Sequence, residues 1–553
     1  MRQDPGKPTH CRELGGLDLS RGMGMFWPGE CNIMKKRNKH GVQAEKSGRV
    51  HCPLPEFVVF AAGAVIMVLE MVGARLMAPH VGTSVIVWTS LIGVMLAFLA
   101  LGAMLGGRTA DRTLSPETLA LILLGAGLGA GLIPLEHRFF GARLMEACPN
   151  VYAGAVGGAV LYFALPATLF GMVTPYIVRL RLSDITSSGG TVGRLYALST
   201  MGSIVGTFLG GFVLISFFSC TQILLGVAAS GGLLAFFVRR GRNAPALALA
   251  ILALGGALGN ASYTAWLTGQ GELPTVETPY NHIRLYEGLT QDSRRVRVIQ
   301  TDPGKIQSAI YLDDPEALYC EYTRYIALAK PLVPGFRRVL ALGGGGYSVP
   351  RWLLAEKNAP QTLEVDVVEL DPGMTRVARE YFSLPDEPRL RIHHEDARRF
   401  LNKNTGSWDV IFVDVFNSWY SVPFQMGTKE AALALRRATA PQGAVMMNVI
   451  SAFNGEKAGL FQAVYANLKE AFAEVHVFAV DPQSPPGAAQ NLLLLALPEG
   501  RPDLEALLVG KAPDIPPDVR RLLHTRITRP VEAVAALTDD FAPVENYAQK
   551  LLN

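Results

Sequence analysis

The chain has 553 residues, enough for three or more structural units, and a formal net charge of +4, too small to argue for a nucleic-acid partner. Only 18% of its residues are charged and 49% are hydrophobic, whereas soluble domains carry about 25% charged residues. Cys320 is the only cysteine beyond residue 265, which excludes a disulfide framework or a zinc cluster in the C-terminal half.

Residues 1–54 are polar and basic, with "KKRNK" at 35–39, and lack the compact apolar core and small-residue cleavage site of a signal peptide. They read as a disordered cytoplasmic tail or an over-extended start of translation. From 55 to 265 the apolar residues concentrate. Runs at 57–78, 85–107, 117–135, 152–178, 196–218, 221–238 and 244–265 each approach the roughly 20 residues needed to cross a bilayer. A transmembrane domain of about seven helices is expected, with the lipid bilayer as its surroundings. The tail, Arg108 and Arg112, then Arg179, Arg181 and Arg194, then "RRGR" at 239–242 fall on one side, so the N-terminus is expected to be cytoplasmic. An odd count would put the C-terminal half outside the cytoplasm, away from cytosolic nucleotides, unless 244–265 does not fully cross or the count is off by one.

Small-residue spacing at Gly102/Gly106, Gly125/Gly129 and Gly202/Gly206/Gly210 predicts closely packed helices. Glu70 lies near mid-span, where a carboxylate is costly and faces a partner or a cavity. Arg75 is one candidate partner for it through another helix; a site for a cationic small molecule is the alternative.

Residues 266–330 read as a linker and a small β-subdomain, because "HIRLYEG" and "RRVRVIQTD" alternate as half-buried antiparallel strands do. "CEYTRYIALAKPLV" reads as a helix. Within 331–500 the buried strands "RVLAL", "EVDVVEL", "RLRIHH", "WDVIFVD", "GAVMMNVI", "EVHVFAV" and "NLLLLAL" alternate with helices, predicting a parallel sheet wrapped by helices. Residues 501–553 are expected to form a helical extension.

Ligands of such sheets lie at the carboxyl ends of the strands. The first strand ends in Gly343, Gly344, Gly345 and Gly346, where missing Cβ atoms admit a ligand. The second ends in Glu369, placed to accept ribose hydroxyls, and the third runs into "EDARRF", where Asp396 could receive an adenine amino group. The fourth presents Asp414 at the mouth of the same crevice. A dinucleotide fingerprint would need glycine at Ser348, so adenosine without a pyrophosphate fits better, as in an S-adenosylmethionine-type cofactor. His393 and His394 lack a second ligand cluster and read as loop residues, with no metal.

The glycine run followed by "VVELD", "EDARRF" and "WDVIFVD" resembles the spermidine synthase group of aminopropyltransferases. Upstream, "YNHIRLYEG" is similar to that family's "YQNI" strand, and "IQSAIYLDDPEALYCEY" to its "IQ…DE…YxE" segment. The membrane half resembles a bacterial branch with a multi-span region fused ahead of such a domain, which implies a bacterial inner membrane. The implied fold is a multi-span α-helical membrane domain, a small β-subdomain and an α/β Rossmann-like domain of the methyltransferase type. The implied reaction moves an aminopropyl group from decarboxylated S-adenosylmethionine to a small-molecule polyamine such as putrescine, without a metal, in a chain that can be a homo-oligomer. The resemblance makes Asp414 the base that takes the amine's proton. It puts Glu369 on the ribose, Asp396 on the adenine, Gln307 and Asn281 beside the cofactor with Gly343, Gly345 and Gly346, and Tyr319, Glu321, Asp313 and Asp314 near the polyamine.

Two departures bear on substrate choice. The family's "GGGDGG" aspartate, which pairs with the aminopropyl ammonium, is Gly346 here, followed by Tyr347 and Ser348; the second acid of "DSSDP" is Asn417. A methyltransferase using intact S-adenosylmethionine on the same scaffold is therefore a competing expectation. A membrane protein whose C-terminal half senses a polyamine or nucleoside is another.

Overall fold

A computed structural model describes residues 55–81, 85–148, 150–182, 188–269, 273–301, 306–355, 362–416, 423–500, 504–508 and 515–552. The expected N-terminal tail and Asn417 lie outside the described residues.

The helical half runs α1 (Pro55–Val81), α2 (Val85–Arg112), α3 (Pro116–Ala147), α4 (Val151–Arg181) and α5 (Ser188–Phe208). A π-helical turn (Leu209–Leu214) leads from α5 into the short α6 (Ile215–Phe217), and α7 (Cys220–Val238) and α8 (Ala244–Gly269) follow. Among the described residues six helices, rather than the expected seven, are long and apolar enough to cross a membrane; α5 to α6 count as one, and the apolar run of α8 is shorter, Ala244–Asn260. The start of α7 is fixed by a reciprocal cap in which Ser219 Oγ accepts from Gln222 N and Gln222 Oε1 accepts from Ser219 N at 2.9 Å. The small residues do bring backbones together: a Cβ on Gly102 would sit 2.2 Å from Thr168 O, and one on Gly202 would sit 1.9 Å from Phe60 O.

The α/β half opens with an antiparallel sheet in the order β1 (Thr275–Glu277), β2 (His282–Leu289), β3 (Arg295–Gln300), β4 (Ser308–Tyr311). The segment expected to be a helix is helical, as a 3₁₀ helix, Glu321–Leu328, running into the short α9 (Ala329–Leu332). There follow β5 (Arg338–Leu342), α10 (Ser348–Leu354), β6 (Glu364–Val368), α11 (Pro372–Tyr381), β7 (Leu390–His393), α12 (Ala397–Lys403) and β8 (Trp408–Phe416). Next come α13 (Lys429–Ala438), β9 (Thr439–Ser451), α14 (Gly459–Ala471), β10 (Glu474–Ala479) and β11 (Gln490–Leu497). The chain closes with α15 (Leu504–Leu508), α16 (Pro517–Leu523), β12 (Arg526–Ile527) and α17 (Val544–Leu552), so the last stretch adds an edge strand as well as helices.

The large sheet is ordered β12-β10-β11-β9-β8-β5-β6-β7. Strands β5 to β9 pair in parallel, and helices cover both faces, which is why "RVLAL" and "VIFV" read as unbroken apolar runs. The expectation of an all-parallel sheet needs correction: β10 and β11 are antiparallel to each other and β11 is antiparallel to β9. The link from Ala479 to Gln490 is too short for a helical crossover, which takes a dozen or more residues, so the chain turns back as a hairpin. Strand order reverses between β5 and β8, where a crevice opens at the carboxyl ends.

Candidate active site

The crevice is built by close approach of two strand ends. Gly343 has φ +95° and Gly345 φ +51°, and a Cβ on Gly343 would lie 2.5 Å from the carbonyl oxygen of Asp414. Only glycine lets the β5 loop pass so near β8. The β8–β9 register shifts between Val413 and Phe416, so Asp414 sits at an irregularity that releases it from the ladder and aims it at the crevice.

Asp414 is held from two sides. Tyr322 in the 3₁₀ helix donates to Oδ2 at 2.8 Å, and Asn448 Nδ2 on β9 donates to Oδ1 at 3.0 Å. Asn448 is itself fixed by Asn491 Nδ2, which donates to its Oδ1 at 2.9 Å. Loss of hydration pushes the Asp414 carboxyl above its ordinary value, and the Asn448 and Tyr322 donors only partly offset this.

Asp414, Gly343, Gly345 and Gln307 stand between two cavities. The larger, about 280 Å³, is also lined by Asn281, Glu369 and Asp396, close to the lower end of small-ligand sites at about 300 Å³. The smaller, about 20 Å³ and water-sized, reaches Gly346, Ser308 and Tyr322. Glu369 accepts from Gly344 N (2.8 Å), Gly345 N (3.3 Å) and Asp371 N (2.8 Å). Three of the roughly four acceptor positions of a carboxylate are thus taken, leaving room for one further donor. Burial nevertheless pushes the Glu369 carboxyl above its ordinary value. Asp396 caps α12 through Arg399 N (2.9 Å) while its other oxygen accepts from Gln425 Nε2 (3.2 Å). Gln307 Oε1 is buried without a donor among the described residues, so the wall between the cavities offers an acceptor that a bound ammonium or hydroxyl can use.

The cleft therefore gathers Asn281, Gln307, Gly343, Gly345, Glu369, Asp396 and Asp414, with Gly346 in the smaller cavity. Four expected residues lie elsewhere. Asp313 is bridged by Arg294 through two 3.0 Å hydrogen bonds and lines a separate pocket with Asp314. Tyr319 packs on Tyr311 with ring centroids 5.4 Å apart, and Glu321 pairs with Arg324 at 2.9 Å. Tyr322 and Asn448 are the side chains that hold Asp414, with Asn491 behind Asn448. The lone asparagine in "AVMMNVI" and the one opening "NLLLLAL" were the available signals, since an amide inside a buried strand needs a partner.

At Gly346, where the glycine loop lacks the expected acid, the surroundings are crowded. A Cβ on Gly346 would lie 2.3 Å from Ser308 Oγ and 3.2 Å from Phe382 Cδ1, so the space of a side chain is already filled. Beneath the loop, buried Arg351 donates from Nη1 to the carbonyl oxygens of Gly346 (3.1 Å) and Phe382 (2.8 Å), and burial lowers its pKa to about 10. Tyr347 adopts φ +55° and turns its ring inward to share a hydrogen bond with Thr375 at 2.6 Å. His393 and His394 are likewise engaged, with Asp366 and Thr375, each at 3.0 Å.

Residues 320–486 match the family described as Spermine/spermidine synthase domain, a span that takes in Tyr322, the glycine loop, Glu369, Asp396, Asp414 and Asn448. The polyamine aminopropyltransferase of Vibrio vulnificus is 27% identical over 233 residues, 41% of this chain and 72% of that protein. Polyamine aminopropyltransferase 1 of Ralstonia nicotianae is 26% identical over 467 residues, 78% of this chain and 81% of that one, an alignment long enough to reach well into the helical half. A probable spermidine synthase structure from Corynebacterium glutamicum covers 46% of this chain and 96% of its own at 25% identity, with a TM-score of 0.36. The chain is thus similar to polyamine aminopropyltransferases, with residues 320–486 matching the Spermine/spermidine synthase domain and six long apolar helices, among the described residues, preceding that match.

Proposed function

We propose that the protein is a membrane-fused aminopropyltransferase that moves the aminopropyl group of decarboxylated S-adenosylmethionine to a polyamine such as putrescine. The observation that carries this reading is Asp414, a carboxylate raised in pKa and aimed by Tyr322 and Asn448 into the crevice between the two cavities. An amine with a pKa near 10 must lose a proton before it attacks, and a carboxylate of raised pKa is the better acceptor for it. In the step proposed, the amine nitrogen forms a bond to the aminopropyl carbon and the carbon–sulfur bond breaks. The sulfonium leaves as neutral methylthioadenosine, and the proton passes to Asp414. Glu369 holds a ribose hydroxyl, Asp396 takes the adenine amino group, and Gln307 and Asn281 flank the cofactor. The six apolar helices cross a bacterial inner membrane with the N-terminus in the cytoplasm.

Methyl transfer from intact S-adenosylmethionine is the second reading, favoured by Ser308 filling the place where the family's loop acid would stand. Incubation of the full chain with putrescine and each cofactor, followed by mass identification of the nucleoside, separates the two. Methylthioadenosine from the decarboxylated cofactor is the expected product; adenosylhomocysteine from the intact one overturns the proposal.

A further inference from the structure

Arg75 on α1 does not turn to Glu70. Its guanidinium donates from Nη1 to the carbonyl oxygen of Ile215, at 3.0 Å, and from Nη2 to the carbonyl oxygen of Thr278, just past β1. Thr278 is 3% exposed, and its hydroxyl donates to Asp371 Oδ2, which also accepts from Asn281 Nδ2 at 2.8 Å. Asp371 in turn caps α11, its Oδ1 accepting from Gly373 N at 2.8 Å, and its own backbone N–H donates to Glu369 Oε1 at 2.8 Å. A guanidinium on a long apolar helix is thus joined to the cleft carboxylate through Thr278 and Asp371. A second strut runs beside it, from the backbone N–H of Cys220 at the start of α7 to Glu277 Oε2 at 2.9 Å. Contact is close as well as polar: a Cβ on Gly373 would lie 2.2 Å from Thr278 Cγ2, so the Thr278 turn packs directly against the Asp371 loop.

We propose that Arg75 and Thr278 are positioning residues, through which the helical half fixes the Glu369–Gly373 loop in its ligand-binding geometry. The proposal rests on the aminopropyl-transfer reading only for what the cleft holds. Neither residue touches the reacting atoms. A contiguous hydrogen-bonded and packed network of this kind modulates affinity by roughly two- to thirtyfold.

The test uses the full chain in detergent, with Arg75→Met, Thr278→Val, the double variant and Arg75→Lys. Amide hydrogen exchange over 369–375 is followed without ligand, and methylthioadenosine binding is measured alongside the KM values for cofactor and amine. Both single variants are expected to exchange faster over 369–375. They should bind methylthioadenosine about fivefold more weakly and raise the cofactor KM while leaving kcat and the amine KM near wild type. The double variant is expected to be no worse than the weaker single, because both changes cut one chain of contacts. Arg75→Lys keeps a cation and recovers part of the affinity. Thr278→Val leaves the helices untouched and carries the test if Arg75→Met fails to fold. Wild-type exchange over 369–375 in the variants, additive losses, or a fall in kcat that merely follows a lowered unfolding temperature would each overturn the proposal. If the wild type binds no methylthioadenosine but exchange still responds to Arg75→Met, the positioning role stands and the aminopropyl-transfer reading falls.

Discussion

The Tyr322 hydroxyl donates to Asp414 Oδ2 at 2.8 Å, and this single contact ties the 3₁₀ helix to the end of β8. It favours the charged carboxylate against the burial that disfavours it. Tyr322→Phe should therefore raise the Asp414 pKa further and shift the acid limb of the kcat/KM profile to higher pH. A hydrogen bond to a charged group is worth about 1.5–3 kcal/mol, so a rate loss on the order of tenfold or more is expected near that limb. A profile identical to wild type would mean that Asp414 is not the titrating base.

Asp414→Asn keeps the shape and removes the charge. Turnover should fall by about 10²–10⁴, the usual contribution of a positioned base. Stability should move the other way. The folded pKa of Asp414 lies above its unfolded value, so its contribution to stability is fully present below the unfolded pKa and is lost as pH rises through the folded pKa. The variant escapes that loss. Its unfolding temperature should exceed wild type at neutral pH, with the gain vanishing in acid; equal midpoints at all pH values would refute the desolvation argument.

Asn448 is fully buried and gives its amide to Asp414 while accepting from Asn491. Asn448→Leu should cost about 1–3 kcal/mol, because Asn491 loses its acceptor and Asp414 a donor. Adding Asn491→Leu should cost little more, since its partner is already gone. Thermal unfolding of the two single variants and the double checks this; strictly additive losses would show that the three side chains do not act as one chain.

Gly346→Asp would rebuild the acid expected of the glycine loop, yet Ser308 Oγ stands 2.3 Å from the new Cβ. Overpacking of this sort costs about 1–3 kcal/mol, so the single change should lower stability and not improve amine binding. Ser308→Gly should relieve the clash. If Gly346→Asp alone is as stable as wild type, the loop is more yielding than the contact implies.

Glu369 and Asp414 were legible because each follows a run of mostly buried apolar residues, and Asp396 because it follows the next strand, β7; the carboxyl ends of these parallel strands converge on one crevice. Tyr322 was not. "YCEYTRY" offers tyrosines at 319, 322 and 325, and only the 3₁₀ winding decides that Tyr322 meets Asp414 while Tyr325 reaches Thr525 at 2.6 Å. Asp313 and Asp314 read as polyamine contacts from their neighbours in sequence, but the turn after β4 carries them to the far side of Arg351, into another pocket. The antiparallel β10–β11 pair was encoded only in the length of one link. Arg75 gave no pattern to read, because its partners are backbone carbonyls, which every residue possesses.

The close approach of α1 and α5 has a mechanical consequence. At Gly202 and Gly206 a Cβ would fall 1.9 Å and 2.2 Å from the carbonyl oxygens of Phe60 and Ala64, so two backbones lie against each other with no side chain between them to rotate or compress. Such a pair bends as one plate. Arg75 extends from one helix of that plate, and its acceptor Ile215 lies on the continuation of the other. Tilting the plate would carry the guanidinium and its brace together, and so would pull on the Thr278 carbonyl that the guanidinium holds.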